Sequence, residues 1–148
     1  MEIGDVAAVT GVGDAIPGGH HPLPLVRTAD GAKFTGVIGV VEKRMVLEVA
    51  RGKEMEGEMA LHSEPGPARR GDFVSLIVYG IAQVKVDPAA KIEVGQRVTA
   101  SDLSGRVRAL RAQTLNGMTV AEDAQSIGIA LKAPVAGEET VPVFVTLK

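Results

Sequence analysis

Hydrophobic and polar positions alternate along much of this chain, and the alternation has the period of two expected of β-strands. Residues 140–147 read Thr-Val-Pro-Val-Phe-Val-Thr-Leu, with Val141, Val143 and Val145 on one side and Pro142, Phe144 and Thr146 on the other. In residues 73–86 the last turn of the pattern sets Val84 and Val86 against Gln83, Lys85 and Asp87, a strand with one wet face. Residues 34–41 (Phe-Thr-Gly-Val-Ile-Gly-Val-Val) and 126–131 (Ser-Ile-Gly-Ile-Ala-Leu) are further β-branched runs. Turn residues punctuate them every ten residues or so. This predicts an all-β barrel or sandwich of short strands. Pro142 directs the last strand toward an edge or a start position.

Other segments are less regular. Residues 42–50 are compatible with a helix by composition and with a strand or hairpin by their Val-Leu-x-Val content. Residues 118–125 fit one helical turn, with Thr119 as N-cap and Glu122 three residues on. Gly11 to Pro24, Gly52 to Gly57 and Ser63 to Gly71 read as loops, rich in Gly, Pro, His and charge. Gly4-Asp5-Val6, Gly71-Asp72-Phe73 and Gly95-Gln96-Arg97 echo one another, each a turn signal ahead of a strand. The echo predicts duplicated units. The chain then divides into an N-terminal lobe (1–62), a connecting loop (63–70) and a C-terminal lobe (71–148), or forms one continuous domain.

Composition narrows the function. The 148 residues are 45% hydrophobic but only 3% aromatic, with 18 Gly, 8 Pro and neither Cys nor Trp. A chain without Cys has no disulfide frame, thiolate metal site or cysteine nucleophile. With 16 basic against 18 acidic residues, there is no positive excess to hold a nucleic acid, and few rings to stack bases on. No apolar run approaches the roughly 18 residues of a membrane-spanning helix, so membrane insertion is not expected. The start, Met1 to Asp5, carries no basic segment leading into an apolar one, and no signal peptide is expected.

Candidate chemistry is sparse. Gly18-Gly19-His20-His21, with His62 elsewhere, is the nearest approach to a metal motif, but neighbouring side chains on a strand diverge. Gly11-Val12-Gly13-Asp14 lacks the Gly-Lys-Ser/Thr ending of a phosphate loop. No Gly-x-Ser-x-Gly elbow surrounds Ser63, Ser75, Ser101, Ser104 or Ser126. Glu54, Glu56, Glu58, Glu138 and Glu139 read as solvated carboxylates. Arg106 and Arg108 share one strand face, suited to an intersubunit ion pair or an anion. No catalytic residue, metal site or cofactor is expected.

From Gly71 onward the chain resembles a more specific pattern. It runs Gly-Ile-Ala-Gln-Val-Lys-Val-Asp (80–87), Ile-x-Val-Gly-Gln-Arg-Val-Thr-Ala-Ser-Asp (92–102), Ser-Gly-Arg-Val-Arg-Ala (104–109) and Ser-Ile-Gly-Ile-Ala-Leu (126–131). A Gly turn at Gly137 precedes the closing Val-Pro-Val-Phe-Val-Thr-Leu strand. This is similar to the β-rich C-terminal domains of phage tail spikes, tail fibres and related bacterial surface proteins, and more loosely to phage head-decoration proteins. The upstream half looks similar too, at Gly4-Asp5-Val6 and Phe34 to Val41. The resemblance implies a homotrimer in a virion or extracellular surface assembly, partnered by itself and by other assembly proteins. Some members of that group are self-cleaving intramolecular chaperones, but no Ser-centred cleavage site is evident here. The leading expectation is a non-enzymatic structural domain. The alternatives are a self-cleaving chaperone and a small-ligand or anion-binding module using Arg106, Arg108 and His20-His21. Leu23, Leu25, Val37, Ile77, Tyr79, Ile81, Arg106 and Arg108 are the expected interface residues, at the contact or in the core beside it.

Overall fold

A computed structural model describes residues 1–16, 19–31, 36–49 and 59–148. It is all-β, with twelve strands among these residues and no helix. β1 (Val6–Ala15), β2 (Pro22–Thr28), β3 (Val37–Val49), β4 (Met59–Glu64) and β5 (Phe73–Ile77) form one antiparallel sheet. β6 (Tyr79–Lys85), β7 (Arg97–Ala100), β8 (Val107–Ala109), β11 (Gly128–Ala130) and β12 (Thr140–Thr146) form a second, in the order β6-β12-β11-β7-β8. β9 (Ala112–Leu115) and β10 (Met118–Ala121) make a separate two-stranded hairpin. Neither large sheet closes into a barrel, and the arrangement is sandwich-like.

β3 organises the first sheet. Val40 pairs Val6 on one edge and Ile77 on the other, while Arg44 pairs Glu64 and Val74. One edge of β3 therefore carries β1 and then β4, and the opposite edge carries β5. The second sheet follows the alternation read from the chain: Val84, Val141, Val143 and Val145 are fully buried. They join Val6, Ala8, Val37, Val40, Val98, Val107 and Ile127 in one apolar cluster drawn from both sheets. Its members are all Val, Ile and Ala. The sheet boundary falls at Val78, between β5 and β6, not in the 63–70 segment.

The Gly-Asp echo is a real structural unit. In Glu2–Asp5, Arg69–Asp72, Glu93–Gln96 and Val135–Glu138, the last residue's N–H donates to the first residue's carbonyl. Its side-chain oxygen accepts in return from the first residue's N–H. The third residue is Gly with φ between 83° and 94° in all four, the geometry of a type II turn. The Asp thus bonds three residues back along the chain. A β-strand follows each turn: β1, β5, β7 and β12.

Three readings of the chain are corrected, and one left open between helix and strand, residues 42–50, is decided over 42–49. Residues 11–15 and 22–24 are strand, not loop: Gly11, Val12 and Ala15 pair Leu25, Pro24 and Pro22, with bulges absorbing the irregular spacing. Residues 42–49 are strand, because three neighbouring strands take up the backbone of β3. The Thr119–Glu122 segment is no helical turn. It belongs to the β9–β10 hairpin, closed by Asn116 (φ 49°) and Gly117 (φ 80°), whose positive φ values define a type I′ turn. Pro142 lies in a strand with neighbours on both sides. Its carbonyl accepts from Leu131 N–H, so its nitrogen faces the point where β11 ends, and no ladder bond is lost. The Gly52–Gly57 segment, with Glu54, Glu56 and Glu58, and Phe34 lie outside the described residues.

The close pairing of β11 with β12 gives a direct test. A Cβ at Gly128 would lie 2.2 Å from the Phe144 carbonyl oxygen and 2.9 Å from Val143 Cγ1. Gly128→Ala is expected to lower stability by at least about 2 kcal/mol in urea denaturation, as overpacking of a rigid backbone does. A loss under about 0.5 kcal/mol would contradict this packing.

Candidate functional site

The solvent-facing side of the second sheet carries an apolar row as well as polar residues such as Gln83 and Arg97. In β6 the alternation that buries Ala82 and Val84 turns Tyr79 and Ile81 outward, 72% and 64% exposed. In β12 it turns Phe144 outward, and in β11 Ile129. Register brings these into one transverse row: Ile81 opposite Phe144, Phe144 opposite Ile129, and Ile129 opposite Arg97. Tyr79 meets the Phe144 ring edge-on at 5.2 Å between centroids, a favourable aromatic geometry. Leu131, exposed and two residues beyond Ile129, extends the patch. Arg97 is the charged member of the row.

Among the sequence-predicted interface residues, the structure brings only Tyr79 and Ile81 together on this face. Val37 is buried in the core and Ile77 packs against it. Leu23, half-buried, and Leu25, exposed, lie on β2 in the other sheet. Phe144, Ile129 and Leu131 went unmarked, although their period-two spacing against Val141–Val145 and Gly128–Ala130 was present in the chain.

The two arginines play other parts. Arg108 Nη1 and Nη2 grip the Glu122 carboxylate in a two-pronged pair. Glu122 also accepts from Arg111 N–H at 2.7 Å. This pair clamps the base of the β9–β10 hairpin to β8. Hydrogen bonding to Arg108 holds the Glu122 carboxyl below its ordinary pKa, against a smaller upward push from burial. Arg106 Nη1 donates to the Val86 carbonyl at 2.8 Å. It lines an open cleft of about 560 Å³ with Asp87, Lys91, Glu138 and Glu139. Asp87 accepts there from the Ser101 hydroxyl, which lowers its pKa, and Glu138 pairs with Lys132. Arg106 and Arg108 are therefore not joined in one anion site with the histidines.

Other candidate groups are structurally engaged. The Ser75, Ser101 and Ser104 hydroxyls donate to Glu42, Asp87 and Thr28. His62 lies on β4 between Glu48 and Glu64, 3.5 Å from each. His20 and His21 are exposed near the start of β2. Gly11 to Asp14 lie within β1 rather than in a phosphate-binding loop. Among the described residues no group of three or more acidic or histidine side chains is placed to hold a metal. Nor is any helix there long and apolar enough to cross a membrane.

Two polar nodes fix the sheets that present the apolar face. Lys85 on β6 reaches back to Asp5 and Glu2, with its amine 2.9 Å from Asp5 Oδ1. Burial pushes the Lys85 pKa down, but the two carboxylates outweigh it and leave it raised. Gln125 makes a reciprocal pair with the Val37 backbone, accepting its N–H at 3.0 Å and donating to its carbonyl at 2.9 Å. The loop before β11 is thus hydrogen-bonded to β3 in the manner of one more strand residue.

No protein-family model, curated protein or solved structure matches this chain.

The hairpin clamp has a pH signature. A carboxyl whose pKa is depressed by folding adds stability above its unfolded pKa, and this is lost as pH falls through the folded value. Glu122→Gln is expected to cost about 2 kcal/mol at pH 7, because Arg108 loses a charged partner in a half-buried place. The gap between variant and wild type should close well on the acid side of pH 4.5, the ordinary value for this group. Urea denaturation at pH 7 and pH 2.5 measures both, and a gap unchanged at the lower pH would contradict the assignment.

Proposed function

We propose that this chain is a non-enzymatic structural module that works by packing against copies of itself, as a homotrimer. The exposed apolar row on the second sheet carries this reading. Contiguous apolar surface of this kind is uncommon on soluble monomers and marks contact sites. A face built of Tyr, Phe and Ile, with one Arg at its margin, has the composition of an interface centre, where aromatic residues and Arg are enriched and other charges depleted. The near-balanced charge of the chain (net −2) favours the same reading, since copies approach one another with little repulsion.

The resemblance to domains of phage tail spikes, tail fibres and bacterial surface proteins supplies the setting. The trimer would stand in a virion appendage, a capsid decoration or a surface filament, beside other assembly proteins.

Native mass spectrometry at micromolar concentration is expected to give three times the chain mass. Ile81→Asp places a charge in the centre of the row, where a hot-spot loss of ~2 kcal/mol or more corresponds to about 30-fold weaker assembly. Ile81 faces solvent in the single chain, so the variant should stay folded by circular dichroism. A monomer for the wild-type chain would refute the proposal.

A further inference from the structure

The β9–β10 hairpin projects from the second sheet with every one of its strand residues exposed. Two-stranded ribbons are marginal in water unless something covers them. The register of this one is regular, with Leu115 opposite Met118 and Gln113 opposite Val120, around a two-residue turn. Residues two apart on a strand share a face, as do directly opposed partners. Gln113, Leu115, Met118 and Val120 therefore form one face, and Ala112, Thr114, Thr119 and Ala121 the other. All the large apolar side chains of the hairpin lie on one side, with Met118 68% and Leu115 56% exposed.

Charge is missing from it as well. Ala112 to Ala121 contains no ionisable residue, in a chain that is 23% charged. Exposed β edges in monomeric proteins are ordinarily guarded by charge, Pro or bulges, and this hairpin has none of the three.

The apolar row of Ile81, Phe144 and Ile129 is the chemical counterpart of this arm. The arm departs at Leu110 and Glu122, after β8, while the row lies over β6, β12 and β11. Both surfaces remain exposed within one chain. A contact that joins the arm of one copy to the face of the next covers both surfaces of every copy in a closed ring.

We infer that the apolar side of the β9–β10 hairpin of one copy packs on the outer face of the second sheet of another copy. This rests on the self-assembly reading above and specifies its contact. Each copy gives an arm and receives one, so the contact is head-to-tail, and three copies related by a threefold rotation close the ring. The Arg108–Glu122 pair then acts as the hinge clamp that aims the arm.

The chain has no Cys, so introduced thiols report cleanly. Leu115→Cys, Met118→Cys and Val120→Cys are each co-expressed with Tyr79→Cys, Ile81→Cys or Ile129→Cys in a second, differently tagged copy. Mild oxidation is expected to link arm to face between copies in at least one pairing, at least fivefold over arm–arm and face–face products. In parallel, Leu115→Asp with Met118→Asp should weaken assembly at least 30-fold and leave the circular dichroism of the monomer unchanged. Predominant face–face or arm–arm linkage overturns the inference, as does the absence of any linkage in an oligomeric wild-type protein, and the self-assembly reading survives those results. A wild-type monomer under the same conditions removes both.

Discussion

A core built only of Val, Ile and Ala is the constraint from which the rest of this structure follows. Both large sheets contribute to it, and it holds no ring. The described aromatic residues accordingly sit outside the buried cluster: Tyr79 exposed, Phe144 and Phe73 half-buried. Strict alternation in β6 and β12 then has two consequences at once. It delivers valines to the core and the largest apolar side chains to the opposite face. Because burial of apolar area is the main favourable term in folding and association alike, a surface of this kind remains a store of unrealised stabilisation until something covers it.

Polar groups serve mainly to hold that geometry. The four type II turns start strands with their own backbone bonds satisfied internally, so β1, β5, β7 and β12 enter the sheets at a set angle. Lys85 with Asp5 and Glu2, Gln125 with Val37, and Arg44 with Asp72 and Glu64 join segments far apart in the chain. Arg108 with Glu122 fixes the root of the free hairpin. These are links between elements, and Arg108 is the one group among them that sequence inspection marks as candidate chemistry. The hairpin from Ala112 to Ala121 is free of charge, and the row carries Arg97 alone.

How much of this was legible depends on which force decided each element. Alternation in 83–86 and 140–147 is decided by local period, so those strands, their buried valines and the all-β class are readable directly. The Gly-Asp echo is readable for the same reason, since the turn needs Gly at positive φ and an acceptor next to it. The β1–β2 hairpin is not, because bulges and prolines break its period while the pairing of the two strands keeps it extended. Thr119 to Glu122 carries the spacing of a helix cap, yet Asn116-Gly117 just upstream is the stronger signal and closes a hairpin. The break at Val78 is invisible to pattern, because both halves are β and only the tertiary fold assigns them to different sheets. Of the residues on the exposed row, Tyr79 and Ile81 were recoverable. Val37 and Ile77 were not separable from them, since hydrophobicity alone does not say which side of a sheet faces another.

The central claim, that a second copy covers the outer sheet face and the hairpin, is tested most directly by hydrogen exchange at two concentrations. If it holds, the amides of Ala112–Ala121 exchange slowly at tens of micromolar and regain fast exchange on dilution. The amides of β3 and β12, protected by the fold itself, do not change. Hairpin amides that exchange fast at every concentration would contradict it.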